Sequence, residues 1–177
     1  MKSIAICAAT ALAFALASCA SAPEPAAPTP AATIGSADAV LEGPYPVLRV
    51  VDGDTVKILR EGEDVSVRLI GLDTPETVAP DQPVECFGPE ASGRTTELVD
   101  GASVWLERDA VSGDTDKYGR TLAYVWISPS AMLNEILVRE GYAEEVTYAE
   151  GYRYQQRFRD AERAAQAEGA GLWSACP

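Results

Sequence analysis

The sequence contains no histidine, four cysteines, and only 14 lysines and arginines against 27 aspartates and glutamates. Each scarcity excludes something. A structural zinc site takes four Cys or His ligands. With no imidazole and two of the four thiols, Cys7 and Cys19, inside a leader-like segment, the chain has no set that can build one. The deficit of cations leaves a formal charge of −13, and a surface of that sign repels polyanions at long range. That argues against a tight, nonspecific nucleic-acid binder and does not exclude an enzyme with a locally basic, metal-loaded site. The apolar run near the start, "IAICAATALAFALA" at 4–17, is shorter than the ~20 residues that cross a bilayer, so it is not a spanning helix.

That run has the layout of an export signal. Lys2 precedes it and the small residues "SCAS" follow, the order of a secretory leader. Its end, "LASC" at 16–19, resembles the lipobox of bacterial lipoproteins, in which cleavage before the cysteine leaves that residue as the lipid-bearing first one. The resemblance implies a signal peptide over 1–18, Cys19 as the first mature residue, and a place in the cell envelope, facing the periplasm or the cell surface. Secretion is the outcome if the anchor is not made. Beyond Cys19 the balance is 13 basic against 27 acidic residues, or −14. Residues 19–46 hold Pro23, Pro25, Pro28, Pro30, Pro44 and Pro46 among many alanines. Such a stretch has too few bulky apolar groups for a core and reads as an extended tether. In an exported chain Cys86 and Cys176 are the thiols that remain, and an oxidising compartment favours a disulfide between them over two free thiols.

From residue 47 the texture changes. "VLRVV", "TVKIL" and "VSVRLIGL", separated by "DGD" and "REGED", read as a three-stranded meander with Gly/Asp turns. In the third strand Val65, Val67 and Leu69 alternate with Ser66 and Arg68, so Arg68 lies on the face away from the apolar set, where a ligand can reach it. In "GPEASGRTTELVDG", Pro89 suits a first helical turn and Gly101 a helix stop. Two more strands are expected over 102–109 and 119–127. A helix follows around Met132, Ile136 and Leu137, ended by Gly141, and another over 150–168, with Phe158, Ala161 and Ala165 as its packing stripe and Trp173 folding back after Gly169 and Gly171. The expected fold is α+β and mainly β: one domain over 47–177, a five-stranded OB-type barrel carrying about three helices.

Three blocks place unusual residues at strand ends: "DGDTVK" (52–57), "RLIGLDTPE" (68–76) and "TDKYGR" (115–120). Taken singly they read as a turn, a solvated arginine on a strand and a polar loop. Taken together they make a chemical set. Asp54 and Asp73 are hard oxygen ligands on turns of neighbouring strands, suited to Ca²⁺ or Mg²⁺. Arg68 and Arg120 supply two planar forks for a phosphate. Glu76 has the reach to hold or deprotonate a water. Two guanidiniums, one divalent ion and a spare carboxylate suit phosphodiester hydrolysis, because they neutralise charge developing at phosphorus while the carboxylate manages the attacking water.

With "CFGPEAS" (86–92) and "MLNEILVREGYA" (132–143), these blocks closely resemble the staphylococcal nuclease (thermonuclease) family, in register from about Val47 to Trp173. The resemblance implies an OB-type barrel with helices and one Ca²⁺ ion held by Asp54, Asp73 and the Thr74 backbone carbonyl. It makes Arg68 and Arg120 the clamp on the scissile phosphate, Arg120 also favouring departure of the 5′ oxygen. Glu76 becomes the general base or the residue that orients the water. Lys117 and Tyr118 would contact the terminal phosphate of a bound nucleotide, and Tyr148, one residue out of register, would stack near the base. The activity implied is endonucleolytic cleavage of DNA and RNA to 3′-phosphate ends. The acidity departs from the family pattern and implies weak substrate capture; the loop after Glu76 and the stretch 144–153 depart from it too. No signal for oligomerisation stands out, so a monomer is expected. The alternative for this fold is a catalytically silent binding module on the cell envelope, against which stands the presence of Asp54, Arg68, Asp73, Glu76 and Arg120 together.

Overall fold

The structure, a computed structural model, describes residues 40–77, 83–148 and 151–177. The leader, Cys19 and most of the tether lie outside the described residues. Along the chain come β1 (Leu41–Asp52), β2 (Thr55–Arg60), β3 (Glu63–Leu69), the short β4 (Leu72–Asp73), α1 (Gly88–Val99), β5 (Ser103–Glu107), β6 (Thr121–Ser128), the short β7 (Ala131–Met132), α2 (Leu133–Arg139), the short β8 (Glu144–Glu145), α3 (Gln155–Glu168) and α4 (Leu172–Ala175).

Five of the strands close on themselves in the order β1–β2–β3–β6–β5. β1 is long enough to serve two neighbours: its first half pairs with β5 and its second with β2, both antiparallel. The circuit is completed by β5 against β6 and by a parallel pairing of β3 with β6, in which Val67 faces Thr121 and Arg68 faces Leu122. Closure leaves the barrel without a free edge. The mainly β five-stranded barrel read from the sequence is the fold found. The tether is corrected at its end: β1 begins at Leu41, so residues 41–46 belong to the barrel. Pro44 falls where the β1–β5 register shifts between Glu42 and Tyr45, a place that tolerates a residue with no N–H to offer.

Among the described residues two apolar clusters form the core. Inside the barrel, Val56, Ile58, Val67, Leu69, Leu106 and Val125 meet Leu133 and Leu137 of α2. Outside it, under α3, Tyr124, Trp126, Tyr154 and Phe158 form an aromatic layer, with the Tyr124 and Tyr154 rings edge-to-face at 4.7 Å. β6 serves both clusters, presenting Ala123 and Val125 to one and Tyr124 and Trp126 to the other. The α1 face of Ala91, Thr95 and Val99 is buried at helical spacing. Met132 is not in a helix but in β7, opposite Trp126, and α2 starts one residue later.

Polar anchors fix the helices at defined heights. Asn134 of α2 accepts from the Val125 N–H at 2.9 Å and donates to the Ile70 carbonyl at 2.9 Å. The non-helical stretch before α3 is held by two buried carboxylates: Glu107 accepts from Trp126 Nε1, Arg153 Nη1 and the Tyr154 hydroxyl, and Asp109 from the Tyr124 hydroxyl and the Arg153 N–H. That is why α3 begins at Gln155 rather than near 150. A bond between Cys86 and Cys176 (S–S 2.07 Å) joins chain positions 90 residues apart, tying the C-terminus to the start of α1.

Candidate active site

The β1–β2 connection is tight, with Asp52 opposite Thr55 and Gly53–Asp54 between them. Asp54 is buried there, its Oδ1 accepting from Thr55 Oγ1 at 2.8 Å. Gly53 is required by space rather than by dihedral: a Cβ on it would lie 2.7–2.9 Å from the Thr74 side chain. The missing methyl lets the 73–74 segment settle on the turn, and the Thr74 N–H points at Asp54 Oδ2 at 3.5 Å.

Arg68, on β3, reaches across this junction. Its Nη1 pairs with Asp54 Oδ2 at 2.9 Å and donates to the Leu72 carbonyl at 3.0 Å, while Nη2 pairs with Asp73 Oδ1 at 2.5 Å. Arg68 is only 7% exposed, so the side chain read as pointing away from the core is enclosed by the site itself. Although about half of the Asp73 side chain is open to solvent, burial on its cleft side pushes the carboxyl up to about 6. Arg68 opposes that rise and the neighbouring Asp54 carboxylate reinforces it. One guanidinium shared between two crowded carboxylates does not satisfy them, and hard oxygens in that state match a divalent cation. Among the described residues no group of three or more His, Cys, Asp and Glu side chains is placed to hold a metal. The protein therefore offers two carboxylates, leaving the other positions to backbone carbonyl, water or substrate oxygen.

Glu76 follows on the irregular segment after β4. Its main chain is bracketed by Glu85: the Glu76 N–H donates to Glu85 Oε2 at 2.9 Å, and the Glu85 N–H donates to the Glu76 carbonyl at 2.9 Å. The Thr77 N–H donates to Glu76 Oε1 at 2.9 Å. Thr77 is in turn fastened by its hydroxyl to Asp52 Oδ1 at 2.7 Å, an oxygen that also takes the Gly53 N–H. Gly88 admits this segment against the start of α1, since a Cβ there would meet the Thr77 methyl at 2.8 Å and the Glu76 carbonyl at 3.1 Å.

Arg120 arrives from the 115–120 loop and is aimed by Asp116. Asp116 Oδ2 takes Arg120 Nε at 2.7 Å, while Oδ1 takes the backbone N–H groups of Tyr118 and Arg120, both at 2.9 Å. Burial works against this carboxylate's charge, but the donors from Arg120 and Tyr118 outweigh it and hold the group below its usual range. Arg120 Nη1 reaches Thr55 Oγ1 at 3.3 Å.

Asp54, Arg68, Asp73, Glu76, Arg120 and Tyr148 all line one cleft of about 340 Å³. Three predicted site residues are not in that lining. Thr74 sits behind it, buried, with its Oγ1 unpartnered among the described residues. Lys117 and Tyr118 stand at the rim, Lys117 Nζ lying 4.9 Å and Arg120 Cζ 5.4 Å from the centre of the exposed Tyr118 ring. Tyr148 is exposed and also borders a smaller adjoining pocket of about 90 Å³ with Leu69, Ile70, Leu122 and Tyr152. Sequence reading missed Asp52, Glu85 and Asp116 as positioning groups. Asp116 was the most visible of them, four residues before the arginine it orients.

The family model described as "Staphylococcal nuclease homologue" matches residues 66–175, from within β3 to α4. The chain belongs to the staphylococcal nuclease family. It is 44% identical over 133 residues to a thermonuclease of Staphylococcus hyicus, covering 75% of this chain and 77% of that one. A thermonuclease of Staphylococcus intermedius is 43% identical over 129 residues, 73% of this chain and 75% of its own. Endonuclease YncB of Bacillus subtilis is 39% identical over 128 residues, 71% of this chain and 59% of its own. The matches to these relatives are longer than that to the family model, which begins after Asp54.

Proposed function

We propose that this chain is an endonuclease that hydrolyses phosphodiester bonds of DNA, RNA or both with one Ca²⁺ ion and leaves 3′-phosphate ends. The observation that carries the reading is the convergence of Asp54, Arg68, Asp73, Glu76 and Arg120 on one cleft. Names of the relatives, thermonuclease and endonuclease, support it.

In this mechanism Asp54 and Asp73, with the Thr74 carbonyl, would hold the ion. When bound, it supplies positive charge against the negative charge that builds on the phosphate oxygens. Arg68 and Arg120 donate hydrogen bonds to the same oxygens as a planar pair; to do so Arg68 loosens its contacts with Asp54 and Asp73. Glu76 accepts a proton from the attacking water as the water oxygen bonds to phosphorus. The bond from phosphorus to the 5′ oxygen breaks, Arg120 hydrogen-bonds the departing oxygen, and that oxygen takes a proton from solvent. The phosphate stays on the 3′ side.

The chain is further proposed to be an exported monomer, with residues 1–18 as leader and Cys19 carrying lipid that anchors it to the envelope. Incorporation of labelled fatty acid that is abolished by Cys19→Ala tests the anchor.

Catalysis is tested by cleavage of end-labelled single-stranded DNA with Ca²⁺ or EDTA, beside Glu76→Ala. The expected result is Ca²⁺-dependent cleavage to 3′-phosphate ends, slowed by at least ~10² in the variant. A folded wild type that binds Ca²⁺ and cleaves nothing replaces this reading with the binding module.

A further inference from the structure

In a chain this acidic, the cations without a carboxylate are informative. The described residues include 13 lysines and arginines. Nine of them lie within 4.0 Å of a carboxylate oxygen, and the four that do not, among the described residues, are Arg49, Lys57, Lys117 and Arg139. Two of these four, Arg49 and Lys57, line the catalytic cleft.

Their placement follows from strand register. Arg49 faces Lys57 across β1–β2, and Lys57 faces Ser66 across β2–β3, which makes one rung. The next rung toward the turn is Asp52, Thr55 and Arg68. A register shift between Val50 and Asp52 lets Arg49 and Asp52 share a face although they are three residues apart. Lys57 and Thr55 are two residues apart on β2, so they share a face and the rungs are separated by about 6.6 Å. That step is comparable with the distance between neighbouring phosphates of an extended polynucleotide.

Charge points the same way. The cleft wall carries Arg49, Lys57, Arg68 and Arg120 against Asp52, Asp54, Asp73 and Glu76. Arg68 and Arg120 are already paired with Asp54, Asp73 and Asp116. Arg49 and Lys57 are the uncommitted charge of the wall, one rung from the arginine assigned to the scissile phosphate.

We propose that Arg49 and Lys57, with the Ser66 hydroxyl, form a second phosphate subsite that holds the phosphate next to the scissile one on a single-stranded polynucleotide. The proposal rests on the nuclease reading. It gives an acidic protein a local means of capturing a polyanion: whole-molecule repulsion is screened over ~8–10 Å at ordinary ionic strength, whereas the rung acts at contact.

The test is fluorescence anisotropy of a short labelled oligothymidylate binding, in Ca²⁺, to the full chain carrying Glu76→Gln, with and without Arg49→Gln/Lys57→Gln. The double substitution should weaken binding about tenfold and flatten the slope of log affinity against log salt by about 1.4, two contacts at ~0.7 each for a single strand. Arg49→Gln alone, at an exposed position, should give about half the slope change. A thymidine dinucleotide with one phosphodiester should bind both proteins equally. Arg139→Gln, which removes a cation of α2 away from the cleft, should leave the slope unchanged. An unaltered affinity and slope in the double variant, a per-charge effect as large at Arg139, or no oligothymidylate binding at all would overturn the subsite. Turnover of the same oligothymidylate by the wild type reads the nuclease proposal separately: loss of turnover with a retained binding difference refutes the chemistry and keeps the subsite.

Discussion

Two pairs of acidic residues in this barrel behave in opposite ways. Glu107 and Asp109, under α3, are buried and saturated. Asp109 accepts from the Tyr124 hydroxyl and the N–H groups of Arg153, Val111 and Ser112. Burial disfavours its charge, but those donors outweigh the penalty and hold the carboxyl below its usual range. Asp54 and Asp73, in the cleft, crowd each other around a single guanidinium, and Asp73 is raised to about 6. Donor number separates Asp109 from Asp73: four donors reach Asp109, whereas among the described residues Arg68 alone reaches Asp73. A carboxylate with every lone pair met is a fastener, and a carboxylate short of donors beside another carboxylate is poised for a cation.

Exchange of charge for a neutral isostere should break the comparison most sharply. Asp73→Asn should lower Ca²⁺-supported cleavage by about 10² or more, since even groups one shell beyond a metal cost 10–100-fold when changed, while unfolding in urea with EDTA shows no loss of stability. Asp109→Asn should do the reverse: a loss of about 2–4 kcal/mol of stability, from charge-assisted bonds among buried donors, with turnover per folded molecule unchanged. If both variants lose mainly stability, the cleft pair is another fastener.

A subtler break leaves the carboxylates in place and moves them apart. Gly53→Ala forces a methyl into the Thr74 side chain and separates the Asp54 turn from the 73–74 segment. Half-saturation by Ca²⁺ should rise about tenfold, because small misplacements cost heavily where groups must converge. An unchanged Ca²⁺ dependence would show that the turn does not set their distance.

The smallest effect is the pH dependence of stability in EDTA. Asp73 is raised from 3.8 to about 6, so between those values the folded chain binds a proton that the unfolded chain does not, and stability rises as pH falls through 6. Asp109 is depressed, so its contribution is present above the ordinary carboxylate value and is lost as pH falls through the lower folded one. Wild type minus Asp73→Asn should therefore show a gain on acidification from pH 7 to pH 5. Wild type minus Asp109→Asn should show only a loss, confined to pH below about 4. Parallel curves for the two variants would refute the contrast.

The cleft residues were legible in the sequence because the chain places them next to punctuation: Asp54 in a Gly-bearing turn, Asp73 and Glu76 around Pro75, Arg120 after Gly119. Alternation along β3 disclosed the face of Arg68 for the same local reason. What was not legible depends on distant partners. Nothing near Glu107 or Asp109 announces burial, since Arg153 and Tyr154 lie more than 40 residues away. The start of β1 was hidden by Pro44 and Pro46, and the register shift that accommodates Pro44 is revealed only by the β5 pairing. Asp52 and Glu85 were not legible because each acts on chain well away from itself: Asp52 takes the Thr77 hydroxyl 25 residues on, and Glu85 the Glu76 N–H nine residues back.

The parallel seam between β3 and β6 carries a consequence for how the molecule comes into being. Arg68 lies on β3 at the seam and Arg120 immediately precedes β6, so the two guanidiniums meet only when strands separated by the whole of α1 and β5 have found each other. Such a long-range pairing is the slow kind of contact in folding. In a chain that has formed only its local hairpins Arg68 and Arg120 are still apart, and the cleft that both line is completed by the β3–β6 pairing.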